Sequence, residues 1–290
     1  MRHSQRVVAE IVRSRGVIAR RDHLELSGAL DHLLDTGRLV SVLPGVYARA
    51  PVLELEVRIA AAMAWDPDAV LVGAAAAPAW FWPSLSCPTV GVALPRRAAI
   101  RRPGFAFSKR RIPAELVAEW SGVRMTVPAL TALDLCDSLG GDAIDVALQT
   151  RAATLVQLRR ALDLTRGRRG NRLRRELVDE SRDQPWSPPE RRLHRLLRAA
   201  GIAGWRGNVT VRGSGWTCRP DVAFDDVLLA IEVDGREHHD TRAAFERDRI
   251  RQNRLVLAGW TVLRFTPTMI DSDPEGVIAT IRATLARLRA

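Results

Sequence analysis

Two neighbouring runs constrain this chain most: Arg219-Pro-Asp-Val-Ala-Phe224 and, after the polar break Asp225-Asp226, Leu228-Leu-Ala-Ile-Glu-Val-Asp-Gly-Arg-Glu-His-His239. Apolar and β-branched residues dominate both, and Gly235 closes the second, which predicts two short strands. Strand alternation sets Glu232 and Asp234 on the face of Leu228 and Ala230, with Leu229, Ile231 and Val233 on the other. Two acids on one face, about 7 Å apart at about 3.3 Å per residue, repel unless a cation sits between them or one binds a proton. Asp221 on the neighbouring strand offers a third carboxylate. Three carboxylates converging at a sheet end suit Mg²⁺, with Mn²⁺ as a substitute, for holding a phosphate and activating a water. The same residues also read as an ordinary Asp-Gly turn beside a solvated edge acid.

The flanks add to the first reading. Ser187-Pro-Pro-Glu190 opens a helix whose apolar stripe is Leu193, Leu196, Leu197 and Ala200, stopped by Gly201. Glu190 stands three residues after Ser187, as in a capping box, and on the buried side, where it can reach the acids. Downstream come a helix expected over Thr241 to Ala258, the strand Trp260 to Phe265, and a final amphipathic helix from Asp273-Pro274 onward. With a strand near Asn208 to Arg212, the order is helix, three strands, helix, strand, helix. Pro220-Asp221, Glu232-Val-Asp234-Gly, Asp248-Arg-Ile-Arg251-Gln-Asn-Arg-Leu255 and Gly259 to Phe265 resemble the small nuclease-like family related to very-short-patch-repair endonucleases, within the PD-(D/E)xK fold. The resemblance covers about residues 185–290. It implies that Asp221 and Glu232 bind the metal, that Glu190 is the first-helix acid, and that His238 or His239 takes the histidine position. His238 and His239 titrate near neutrality, which suits proton transfer; a His-His pair after a turn is equally plain exposed surface. The general fold carries a lysine two residues after the second acid, and here that position is Asp234. The one lysine of the chain, Lys109, is far away in sequence.

Charge bears on the partner. The chain of 290 residues carries 44 basic and 33 acidic residues, a net charge of +11. Between Arg96 and Arg111 stand Arg96, Arg97, Arg101, Arg102, Lys109, Arg110 and Arg111 without one acid. From Arg151 to Arg182 ten arginines face four acids. Such clusters suit a polyanion backbone, whose contacts supply affinity rather than sequence choice; solvated loops and helix faces give the same pattern. Cys87, Cys136 and Cys218 lack metal-ligand spacing and follow no charged-then-apolar leader, so a reducing cytoplasm is expected. The longest apolar run, Ala69 to Trp82, contains Pro78 and is too short to span a bilayer, so no membrane is expected as a partner.

The first fifty residues predict three helices, about Ser4 to Ser14, Arg20 to Leu26 and Ser27 to Leu34, then a hairpin around Pro44-Gly45. This resembles the winged helix of AbiEi-type antitoxins of type IV toxin-antitoxin systems, which implies DNA binding and a nucleotidyltransferase-type toxin as partner. The third helix would be the reading helix, yet it carries Asp31 and Asp35 with only His32 against them. Arg20, Arg21 and Arg38 are therefore the better DNA-contact candidates, joined by Arg96, Arg97, Arg101 and Arg102. Packing of this region on the rest of the chain or on a partner protein is the other reading. In the middle, a helix is expected over Leu53 to Trp65, close helix packing through the small-residue stretch Val70 to Pro78, and strands at Thr89 to Leu94, Phe105 to Ser108 and Val123 to Val127. Helices follow from Thr131-Ala-Leu-Asp134-Leu, a segment that resembles the central region of the AbiEi family and reads as core and cap. No phosphate-cradling glycine loop or nucleophile elbow occurs there, and Asp183 to Pro189 reads as a linker.

The expectation is a mixed α/β chain: a winged helix-turn-helix over 1–50, an α+β domain over 51–184 and a restriction-endonuclease-like domain over 185–290. Its function is either Mg²⁺-dependent cleavage of DNA phosphodiesters or non-catalytic, antitoxin-like regulation; a purely structural adaptor is a third possibility. Sequence leaves the DNA target and the oligomeric state open.

Overall fold

The computed structural model describes residues 3–51, 54–96, 100–181, 187–213, 215–234, 250 and 253–290. They form a mixed α/β structure that divides into two compact units, Met1–Leu139 with Thr150–Asn171, and Gly140–Gln149 with Arg172–Ala290.

The first unit begins with α1 (His3–Arg15), β1 (Val17–Ala19), α2 (Ser27–Asp35), β2 (Leu39–Leu43) and β3 (Val46–Arg49). Val8 and Val12, one turn apart on α1, meet Leu30 and Leu33 of α2 over Ile18, Leu39 and Tyr47 in one apolar cluster. The strands make a three-stranded antiparallel sheet ordered β1-β3-β2. Gly45, at φ +75°, turns the expected hairpin, a conformation costly for any residue with a Cβ. The helix expected over Arg20 to Leu26 is corrected: Val17–Ala19 pair with β3 as a strand, and only two short 3₁₀ turns, Arg20–Asp22 and Leu24–Leu26, follow. The β-branched pair Val17-Ile18 gains more from the ladder than an isolated helical turn would supply.

Next come α3 (Leu55–Trp65), β4 (Val70–Leu71), α4 (Ala77–Trp80), β5 (Val90–Leu94), β6 (Phe105–Lys109), β7 (Val117–Trp120), β8 (Val123–Thr126) and α5 (Pro128–Leu139). After α6 (Asp142–Gln149), which belongs to the second unit, α7 (Leu155–Leu164) completes the first. The five strands are ordered β6-β5-β4-β8-β7, with β5–β6 and β4–β8 parallel. Ala61, Ala62 and Trp65 of α3 pack on Leu71, Val90, Val92 and Met125 of this sheet. The small-residue stretch after Val70 is a strand, a 3₁₀ turn and the four-residue α4, not one helix.

The second unit contains α6, α8 (Asn171–Glu180), α9 (Pro188–Ala199), β9 (Arg206–Gly207), β10 (Val211–Gly213), β11 (Trp216–Cys218), β12 (Val222–Phe224), β13 (Leu229–Val233), β14 (Thr261–Phe265), α10 (Pro267–Ser272) and α11 (Pro274–Arg289). Its main sheet is ordered β14-β13-β12-β9, with β13 and β14 parallel and the other pairs antiparallel. One face, Val222, Phe224, Leu229 and Ile231, is covered by Leu193 and Leu197 of α9 and by Ile270, Val277 and Ile281. Each leucine buried there stabilises by about 1.5–3 kcal/mol. The other face, Ala223 and Ala230, packs against Val211, Cys218, Leu255 and Trp260.

A buried ion pair fixes the start of α9. Arg191 donates to Asp145 of α6, to Ser181 Oγ at 2.7 Å and to Leu177 O at 3.0 Å. A Cβ at Gly141 would run into its guanidinium, so only glycine leaves room for it. Of the helix expected over Thr241 to Ala258, the described part is residue 250 and residues 253–257, which are helical. Among the described residues no helix is long and apolar enough to cross a membrane.

Candidate functional site

Asp221, just before β12, and Glu232 and Asp234, at the end of β13, lie at one end of the second unit's sheet. Val222 faces Ile231 and Ala223 faces Ala230 across β12 and β13. Continued by one residue, that register sets Asp221 opposite Glu232, and directly opposed residues of an antiparallel pair share a face. Glu232 is 7% exposed.

Hydrogen bonds hold both the side chain and the main chain of Asp221. Its Oδ2 accepts from Val233 N at 2.7 Å, and its carbonyl accepts from Asn208 N at 3.2 Å and from His194 Nε2 at 3.1 Å. A carbonyl only accepts, so the proton of His194 lies on Nε2. Glu190 is buried at the start of α9, where Ser187 Oγ donates to Oε1 at 2.8 Å and Asn208 Nδ2 donates to Oε2 at 2.8 Å. Ser187 Oγ also accepts from Glu190 N at 3.3 Å, so Glu190 caps its helix and still points inward. Asn208 thus links Glu190 to the main chain of Asp221, which makes Glu190 a positioning group in this geometry.

Arg264 completes the cluster. In the parallel register it lies beside Glu232, and its guanidinium donates to Glu232 Oε2 at 2.9 Å and to Asp234 Oδ2 at 3.3 Å. The adjoining strand β14 thus sets one cation against both Glu232 and Asp234. Among the described residues no group of three or more His, Cys, Asp or Glu is placed to hold a metal. Two opposed carboxylates still fit Mg²⁺ or Mn²⁺, hard ions that commonly take one or two protein carboxylates and complete their shell with water and phosphate. His238 and His239 lie outside the described residues.

The basic candidates belong to the first unit. Arg20 pairs with Asp31 and donates to Tyr47 Oη at 3.1 Å. Its hydrogen bond holds the Asp31 carboxyl below the usual carboxylate range, so this acid of α2 stays ionised with a cation beside it. Arg21 donates to Trp65 O at 3.0 Å and Ala64 O at 2.8 Å, satisfying the last carbonyls of α3. Arg38, Arg96, Arg101 and Arg102 are exposed, and Arg97 lies outside the described residues. Arg101 and Arg102 line an open cleft with Phe105 and Phe107.

Arg264, Asn208 and His194 join the site only in the folded chain. Arg264 was visible as a charge in the middle of an otherwise apolar strand, and His194 as the residue one helical turn after Glu190. Asn208 carried no signal of its own.

A sheet with opposed acids at one strand end, packed between helices, is the arrangement of a restriction-endonuclease-like domain, and comparison agrees. Residues 190–285 match the restriction endonuclease-like family model REase_MTES_1575. Residues 69–180 match the AbiEi antitoxin C-terminal domain. The two matches set a region similar to an AbiEi antitoxin domain before one similar to a restriction endonuclease-like domain. The chain is also similar to two uncharacterized proteins of Mycobacterium tuberculosis, MT2308 of strain CDC 1551 / Oshkosh and Rv2248 of strain ATCC 25618 / H37Rv. Each is 28% identical over 176 residues, covering 58% of this chain and 64% of the relative.

Proposed function

We propose that this is a DNA-associated protein whose C-terminal domain hydrolyses phosphodiester bonds with Mg²⁺ or Mn²⁺ held by Asp221 and Glu232. What supports this reading is the β12–β13 register, which continued one residue past Val222–Ile231 brings Asp221 opposite Glu232, inside the stretch that matches the restriction endonuclease-like family. A bound divalent ion would supply Lewis acidity and a water of lowered pKa. Asp221 is rigid because both its carbonyl and its carboxylate are hydrogen bonded, with Glu190 and Asn208 behind it. Arg264 offers a cation for charge developing on the phosphate, the work a lysine does in the general fold. His238 or His239 is assigned the proton transfer, to be checked by His238→Ala and His239→Ala. Arg38, Arg96, Arg101 and Arg102 are the exposed cations that meet the DNA backbone.

The test is nicking of supercoiled plasmid by the full chain with Mg²⁺ or Mn²⁺. Asp221→Asn and Glu232→Gln should each reduce nicking at least hundredfold while the circular dichroism spectrum stays unchanged. Absence of metal-dependent nicking by the wild type would refute the hydrolase reading.

The match over residues 69–180 favours a second reading, a non-catalytic regulator that binds its own promoter and a nucleotidyltransferase-type toxin. In that case a promoter fragment shifts in EDTA, deletion of residues 1–50 abolishes the shift, and Asp221→Asn leaves it intact.

A further inference from the structure

The central sheet of the first unit ends in a second polar site. Where β5 and β6 finish side by side and β4 begins, the chain forms a pocket of about 300 Å³ lined by Arg96, Arg110, Arg111, Arg124 and Asp68. Val70 and Val117 give it apolar wall. Four guanidinium groups face one carboxylate there, and a concave site of one sign concentrates its field on whatever enters.

An acid and a carbonyl hold two of these arginines, Arg110 and Arg124, in place. Arg110 donates to both oxygens of Asp134, at 2.9 and 3.0 Å, and Asp134 also takes Arg168. Arg124 Nη1 donates to Pro67 O at 3.1 Å. Asp68 stands 3.9 Å from both Arg96 and Arg124, near enough to orient them and too far to neutralise either by a close pair. Counting Asp134 and Arg168 with the lining, five arginines meet two aspartates, a local surplus of three positive charges. Preorganised guanidinium forks match the paired oxygens of a phosphate. The volume is at the small end of ligand sites, too small for a duplex and suited to one nucleotide.

We propose that this pocket binds a terminal phosphate monoester, carried by a free mononucleotide or by the 5′ end of a nucleic-acid strand. It belongs wholly to the first unit and does not depend on the nuclease reading. The sequence showed its arginines only as a basic run; Arg124 and Asp68 join them through the sheet.

Isothermal titration of the full chain with AMP, adenosine, and one octanucleotide with and without a 5′-phosphate tests it. AMP should bind at least tenfold more tightly than adenosine. Arg111→Gln and Arg96→Gln should each weaken AMP at least fivefold, with Arg111→Lys recovering part of the loss. Asp68→Asn should strengthen AMP several-fold, and Arg287→Gln, an equal loss of charge on α11, should leave it unchanged. An octanucleotide that needs its 5′-phosphate and binds at least tenfold more tightly than AMP identifies the strand end as the ligand; equal affinities identify the free nucleotide. No saturable heat from AMP or the phosphorylated octanucleotide, equal binding of AMP and adenosine, or an Arg96→Gln/Arg111→Gln chain of native circular dichroism that binds as the wild type would each overturn the proposal.

Discussion

At the scale of single residues, position 264 matters most. An arginine in the middle of β14 places its charge between Glu232 and Asp234, where two carboxylates would otherwise repel. Arg264→Gln should lower stability by about 1–3 kcal/mol, between the values for buried and exposed pairs, read from urea denaturation. The same variant should raise Mn²⁺ affinity at least tenfold in titration, because it removes a cation that competes for Glu232; unchanged affinity would show that Arg264 does not set access to the acids. Asn208 makes a different point. Asn208→Ala leaves the Glu190 carboxylate without the amide that donates to it at 2.8 Å, and should cost about 1–3 kcal/mol. Its effect on nicking should exceed that of an equally destabilising core variant such as Leu285→Ala, since Asn208 positions Asp221. Sequence made Asp221 and Glu232 legible because acids on short apolar strands are unusual. It left out Asn208 because a polar residue between two short strands looks like any turn.

At the scale of elements, α9 is the hinge of the second unit's architecture. Its apolar stripe covers one sheet face, its Glu190 and His194 reach Asn208 and Asp221, and its Arg191 ties it to α6. Removing one partner of that buried pair, as in Arg191→Ala, should cost about 3–5 kcal/mol. Burial pushes the Asp145 carboxyl up to about 7, against the pull of Arg191 and Ser181. A carboxyl whose folded pKa lies above its unfolded value of 3.8 binds more protons folded than unfolded. Its contribution is therefore complete below about pH 4 and is lost as pH rises through about 7. Asp145→Asn should flatten that part of the stability profile; an unchanged slope from pH 4 to 7 would assign it to other groups. The helix α9 itself was readable from Ser187, Pro188 and the leucine spacing. Its ion pair was not, because Asp145 and Arg191 are 46 residues apart and neither belongs to a local pattern.

At the scale of the whole molecule, a net charge of +11 and two matches to nucleic-acid-associated families point to binding that depends on salt. Replacing Arg38, Arg101 and Arg102 together with glutamine should weaken binding to any duplex about equally and reduce the slope of log affinity against log salt by up to about 3. A loss confined to one sequence would instead make these side chains base readers. The sequence by itself determined the kinds of element, most of their order, the alternation that puts Glu232 with Ala230, and the hairpin at Gly45, since each follows from periodicity and turn chemistry within a few residues. Only the tertiary structure decided that Val17–Ala19 is a strand, that Arg20 and Arg21 serve Asp31 and α3, that Arg264 pairs with Glu232 and Asp234, and that Arg96 and Arg124 share a pocket. These pairings join residues outside any local pattern, and they form because the fold brings separate strands and helices side by side.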